Sequence, residues 1–189
     1  IGRGPIAGPV VVCACALLSG VEVLSFFPKG ILRDSKKVSE KQRKDILIAL
    51  QELQSAKNII FGVGEVSAKR IDEIGITASL KEAMLLALSY LHENGVEKDS
   101  FVFLDGSLHA PDEYHQETII KGDEKVKEIA LASLFAKEYR DTKMKEFGDS
   151  FPFYGFESHV GYGTKSHYEA ISNYGFTEIH RKSFLKKLV

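Results

Sequence analysis

The sequence predicts an α/β fold: a five-stranded mixed sheet flanked by helices, followed by a helical extension at the C-terminal end. Three observations carry this. Short apolar runs that read as strands lie at 9–18, 21–27, 58–66, 101–104 and 117–120. Segments with apolar residues at helical spacing are interleaved with them. From about residue 149 the chain changes to Gly-, Tyr- and His-rich loops with one or two short helices. The reading gives a core over 1–148 and an extension over 149–189 that together form one compact unit.

Each element has a local reason. "PVVVCACALL" is continuously apolar, and "VEVLSFF" follows a break at Gly20, so the two read as a hairpin. Ser39 caps a helix with Gln42 as its capping-box partner, and Ile46, Leu47, Leu50 and Leu53 give it one apolar stripe. "NIIFGVGEV" is the third strand. "SAKRIDEI" reads as a short helix, and 78–95 as a longer one with Ala83, Met84, Ala87, Leu88 and Leu91 on one side and Gly95 as its stop. "FVFL" reads as a buried strand ending at Asp105-Gly106, "ETII" as another ending in "KGD", and 126–146 as a helix. The sheet is expected to be antiparallel at its start and more parallel later.

Composition bounds the function. The 189 residues are 44% hydrophobic and 27% charged, as in globular proteins, with a net charge of −1. That charge excludes a polycation but permits a local basic patch. The tail "HRKSFLKKLV", with Arg181, Lys182, Lys186 and Lys187, reads first as a solvated terminus. No apolar stretch reads as a membrane span. Cys13 and Cys15, two apart on a strand, point to one face and read as reduced core residues of a cytoplasmic protein.

Asp105 and Asp123 both follow a strand end beside a glycine, eighteen residues apart. If their strands are neighbours, both carboxylates project at one edge, where α/β sheets collect ligands. Adjacent carboxylates repel and need a proton or a cation between them, and hard oxygens suit Mg²⁺ or Mn²⁺. The competing readings are an ordinary Asp-Gly turn and a helix cap at Asp123. Ser133, Lys137 and Asp141 share a helix face, either as a surface Lys137–Asp141 pair or as a hydroxyl and an ammonium facing phosphate. "GRGPIAGP" presents backbone amides and the forked donor of Arg3, and "GYGTKSH" holds Tyr162 between glycines, where it can stack on a base or sugar. "GVGEVS" lacks the last glycine of a dinucleotide fingerprint. His109 and His115 lie in a loop with nothing marking a zinc site, and His159, His167 and His180 share no helical or strand face.

Taken in order, "GRGPIAGPVV", "LRDSKKVSEKQR", "FLDG", "IKGD", "IALASLFAKEYRD", "GYGTKSH" and "IHRKSF" cover nearly the whole chain, and with them the sequence resembles the bacterial ribonucleases HII. The resemblance implies a ribonuclease H-like fold and an endoribonuclease. Its substrates would be RNA–DNA hybrids and single ribonucleotides in duplex DNA, cut on the 5′ side to leave a 3′-hydroxyl and a 5′-phosphate. It implies Mg²⁺ or Mn²⁺ held by four carboxylates, two of which match Asp105 and Asp123. The other two form an Asp-Glu pair followed by Ala before the Gly-Arg-Gly loop. Here only Ile1 precedes Gly2, so the literal chain is expected to be nearly inactive and a chain carrying the pair to be active. The backbone of Gly2, Arg3 and Gly4 is expected to surround the 2′-hydroxyl, with Tyr162 against the sugar. Arg3, Lys36, Ser133 and Lys137 are the expected phosphate contacts, and a replication clamp is a conceivable partner. A non-catalytic hybrid-binding module, a small-molecule phosphohydrolase and the sister family ribonuclease HIII are the competing readings.

Overall fold

The computed structural model describes residues 1–18, 40–106 and 108–186. Its elements are β1 (Val10–Leu17), α1 (Glu40–Ser55), β2 (Ile59–Val66), α2 (Ala68–Glu93), β3 (Val102–Asp105), β4 (Gln116–Ile119), α3 (Lys127–Ser150), α4 (Phe156–His159) and α5 (Lys165–Tyr174), with short 3₁₀ turns at Gly122–Glu124 and Lys182–Phe184. β1 pairs with β2, and β3 with β4. Four strands are therefore seen among the described residues. The fifth expected strand, at 21–27, lies outside them, as do Lys36 and Ser39, so the count of five is not reached.

The chain divides into two compact units, one of Ile1–Val12, Gly64–Ala83 and Ala136–Val189, the other of Cys13–Val63 and Met84–Phe135. The second unit has its core between strand and helix faces. Ile46, Leu50 and Leu53 of α1 meet Ile59 and Phe61 of β2 and Leu131 and Leu134 of α3, with Cys13, Cys15 and Leu17 packed alongside. Phe135 stacks flat on Phe61, ring centroids 4.3 Å apart. Burial pushes both thiols well above their ordinary range, in keeping with inert core residues.

The glycines of "GVGEVS" have a packing role. A side chain at Gly62 would strike the Ala87 carbonyl, and one at Gly64 the Ala83 carbonyl. Helix backbone thus lies directly against the strand within each unit. The two expected helices at 68–93 are joined end to end, with a non-helical break at Gly75 (φ 79°, ψ 160°). By length and composition this segment is the one described helix able to cross a bilayer. It is broken at Gly75, and Ile71, Ala83 and Ala87 on it are fully buried. "FVFL" departs from expectation: Leu104 is buried, but Phe101 and Phe103 are about half exposed and pack on each other. The strand alternates faces where a continuous apolar run suggested burial on both.

The first unit is organised around charge. Arg140 and Arg181 are essentially fully buried. Arg140 donates to the carbonyls of Pro9 (3.0 Å), Val160 (2.9 Å) and Ala7 (3.2 Å). Arg181 donates to those of Gly8 (2.8 Å), Gly2 (2.8 Å) and Arg3 (3.3 Å). Arg181 is thus no part of a solvated tail, although Lys182 and Lys186 beside it are exposed. Asp72 fixes the turn that follows, accepting from the amides of Lys182 (2.8 Å) and Ser183 (3.0 Å). Below this lattice Ile6, Met144, Tyr154, Phe156, Ile171, Ile179 and Leu185 form the apolar core. His159, His167 and His180 pack against Phe156 and each other, although no periodicity in the sequence joins them.

This core can be tested at two positions. Arg181→Met leaves three carbonyls without donors and is expected to destabilise the protein by about 3 kcal/mol, read as a lower denaturant midpoint. Arg181→Lys should recover little of this, because one ammonium cannot reproduce the guanidinium fork. Burial, and secondarily His167, pushes the His180 imidazole down to about 4 from its ordinary 6.5. Between those values the unfolded chain binds more protons, so stability is full above pH 6.5 and falls toward pH 4, by up to about 1.4 kcal/mol per pH unit for this group. Thermal melting across that range should show the slope, and His180→Asn should flatten it.

Candidate functional site

β3 and β4 run parallel, in register from Val102↔Gln116 to Asp105↔Ile119. The two strands that carry the singled-out carboxylates are therefore neighbours and end together. Beyond β4 the chain passes through Lys121, which has a left-handed backbone (φ 55°), into the 3₁₀ turn Gly122–Glu124 that holds Asp123. Asp105 closes this turn: its Oδ1 accepts the Gly122 amide at 2.8 Å. Gly122 is buried, and a side chain there would press on Ile129 Cδ1 at 2.6 Å and reach Asp105 Oδ1 at 3.4 Å. The absence of a side chain lets the carboxylate and the turn approach. Both Asp105 and Asp123 are half-buried. The helix-cap reading of Asp123 does not hold, because α3 starts only at Lys127. Among the described residues no group of three His, Cys, Asp or Glu side chains gathers where a metal ion would sit.

Ser133 and Lys137 lie half-buried on one face of α3. Lys137 Nζ meets Asp141 Oδ2 at 2.7 Å, the surface-pair reading given above. Gly2, Arg3 and Gly4 open the first unit. Gly2 is buried with φ 81°, while Arg3 and Gly4 are exposed. The carbonyls of Gly2 and Arg3 accept from Arg181, so this part of the loop's acceptor set faces the interior. Tyr162 is half exposed, and its Cε1 lies 3.9 Å from where a side chain at Gly4 would begin. The Gly-Arg-Gly loop and the Gly-Tyr-Gly loop are therefore adjacent. Their backbones are joined, the amides of Ile6 (2.9 Å) and Ala7 (3.2 Å) both donating to Gly161 O.

Thr164 caps α5, its hydroxyl accepting the His167 amide at 3.2 Å. Within their own units, then, the structure brings Asp105 to the turn of Asp123, and Gly4 to Tyr162. Sequence reasoning missed Arg140, Arg181 and the histidine cluster. Arg140 did carry a signal, since it stands four residues from Ala136 and from Met144 on the buried face of α3. Arg181 and His180 lie outside regular structure, where no period marks a buried side.

Comparison with known proteins agrees along the whole length. A family model described as Ribonuclease HII matches residues 1–187. The Ribonuclease HII of Chlamydia caviae is 43% identical over 191 residues, covering 97% of this chain and 80% of that protein. The one from Bacillus thuringiensis is 45% identical over 184 residues, covering 97% and 66%. Among solved structures, a chain of the PCNA:RNase HII complex from Archaeoglobus fulgidus superposes with a TM-score of 0.74 at 21% identity, covering 96% of this chain and 90% of that one. The ribonuclease H2 of Pyrococcus horikoshii gives 0.73 at 21%, covering 99% and 92%. These structural likenesses carry the α/β, ribonuclease H-like fold, and the sequence relationship carries more: the chain belongs to the Ribonuclease HII family.

Proposed function

We propose that this protein is an endoribonuclease that hydrolyses the RNA strand of RNA–DNA hybrids and single ribonucleotides in duplex DNA. Water attacks the phosphorus on the 5′ side of the ribonucleotide, and the bond to the preceding 3′-oxygen breaks. The products are a 3′-hydroxyl and a 5′-phosphate. The observation that carries the reading is the Asp105–Gly122 hydrogen bond, which joins one carboxylate to the turn of the other at the shared end of two parallel strands, in a chain of this family.

The donors available there fit a hard divalent ion. They are carboxylate oxygens, and the two cysteines are core residues held in the thiol form. Mg²⁺ and Mn²⁺ favour one or two carboxylates together with water and phosphate oxygens. Asp105 and Asp123 would hold the ion, Asp105 through the oxygen not turned to Gly122. Bound there, such an ion supplies Lewis acidity to the phosphate and lowers the pKa of water. The exposed residues Arg3 and Gly4 and the ring of Tyr162 would face the ribose, where bulkier loop residues would bar the approach. Arg3, Lys36, Ser133 and Lys137 would contact phosphate and make binding salt-dependent. Lys137 would do so by exchanging or sharing Asp141.

The test is cleavage of a labelled DNA duplex carrying one ribonucleotide, with Mg²⁺ or Mn²⁺. A cut 5′ of the ribonucleotide that disappears on chelation supports the reading. Binding of that duplex without cleavage supports a hybrid-binding module, and turnover of a chromogenic phosphate ester with duplexes ignored overturns the assignment. Asp105→Asn and Asp123→Asn should each lower cleavage by at least about a hundredfold. Melting should change little in Asp105→Asn, since the amide oxygen of the substituted side chain still accepts from Gly122. Tyr162→Ala should reduce cleavage at a single ribonucleotide about tenfold with an unchanged melting temperature, because the ring is half exposed. An undiminished rate would end that role.

A further inference from the structure

The amide and the carbonyl of Tyr162 are both held by hydrogen bonds. The Tyr162 amide donates to His159 O at 2.9 Å, and its carbonyl accepts the Thr164 amide at 2.8 Å. Gly161 donates its amide to His159 Nδ1 at 3.2 Å. The Tyr162 carbonyl also faces His167 Nδ1 at 2.8 Å. Behind that contact lies a second ring: His167 Nε2 is 3.1 Å from His180 Nε2. His180 Nδ1 in turn is 2.8 Å from the Thr177 amide nitrogen and 2.8 Å from its hydroxyl.

One group in this chain has no choice of role. A backbone N–H only donates, so His180 Nδ1 accepts from Thr177 and carries no proton. The proton of a neutral His180 is therefore on Nε2 and is donated to His167 Nε2. That nitrogen must be bare, which leaves the His167 proton on Nδ1, donated to the Tyr162 carbonyl. A single amide thus sets the tautomer of two rings and the direction of three hydrogen bonds. Both imidazoles are almost wholly removed from solvent. Burial lowers the basicity of each, which keeps them in the uncharged form the chain requires. His159 stacks on His167 with centroids 4.3 Å apart. Tyr154, Phe156 and Phe176 pack around His180.

We propose that His167 and His180 are positioning residues for Tyr162: the oriented relay from Thr177 fixes the Tyr162 peptide, and through it the ring that distinguishes a ribose from a deoxyribose. The inference rests on the sugar-facing reading of Tyr162 given above. The relay touches no substrate, and its contribution is to selectivity.

Two substitutions at one position separate this from a packing role. His167→Asn keeps an N–H near the place of Nδ1 and drops the link to His180. His167→Gln reaches toward His180 and drops the donor to Tyr162. The readout is the ratio of affinities for a DNA duplex carrying one ribonucleotide and the same duplex in all-DNA form, measured by fluorescence anisotropy. His167→Gln should lower this ratio about fivefold, and His167→Asn should hold it within about twofold of the parent. The double variant with Tyr162→Ala should be no less selective than Tyr162→Ala alone, as expected when two residues act through one effect. An unchanged ratio in His167→Gln, equal losses in both His167 variants, or independent losses in the double variant would overturn the relay while leaving the role of Tyr162 standing. An unchanged ratio in Tyr162→Ala overturns the sugar-facing reading itself, and the relay with it. If the variants do not fold, ring ¹⁵N NMR of the parent protein decides: Nδ1–H on His167 with Nε2–H on His180 supports the relay, and the opposite tautomers overturn it.

Discussion

Two guanidinium groups buried against main-chain carbonyls are the constraint on which the first unit depends. The opening loop carries prolines at positions 5 and 9 and glycines at 2, 4 and 8, so it has few side chains to pack and two residues with no N–H to donate. Arg140 and Arg181 supply the missing donors from α3 and from the segment after α5, reaching Gly2, Arg3, Ala7, Gly8, Pro9 and Val160. Burial, and then the charge of Arg140, holds Arg181 at about 10, still a cation at neutral pH. Two like charges inside one core are costly in isolation, and the carbonyl dipoles offset that cost. Once those carbonyls turn inward, Arg3 and Gly4 are left facing outward.

What could be read from the chain beforehand follows from how local each signal is. The stripe of Ile46, Leu50 and Leu53 and the row Ala83–Ala87–Leu91 repeat at helical intervals, and each landed on a helix. The pairing of 101–104 with 117–120 was legible as a condition, because both runs end in an aspartate beside a glycine, and the parallel register meets it. The exposure of Phe101 and Phe103 was not, since apolarity alone does not report which face of a short strand is covered. Arg181 was misjudged, and the packing of the three histidines was missed, for another reason. They sit where no regular period marks an inner side, and the burial of Arg181 is decided by segments more than a hundred residues away in sequence. Charge and composition cannot carry that information.

The loops in the first unit divide the labour between side chain and main chain. Gly4 leaves room beside the half-exposed ring of Tyr162, while the Tyr162 peptide is pinned by hydrogen bonds on both sides. In the proposed role this pairing of a held backbone with a half-exposed ring would suit recognition of a single oxygen better than a mobile side chain would.

The hydrogen bond from Gly122 to Asp105 has a bearing on timing. A carboxylate on a free rotor must surrender its rotational freedom when a ligand arrives, and that entropy subtracts from affinity. Here the main chain arrests the rotor as the strands pair, so the loss of freedom is incurred during folding, and in the proposed role the acid would meet its ion already aimed.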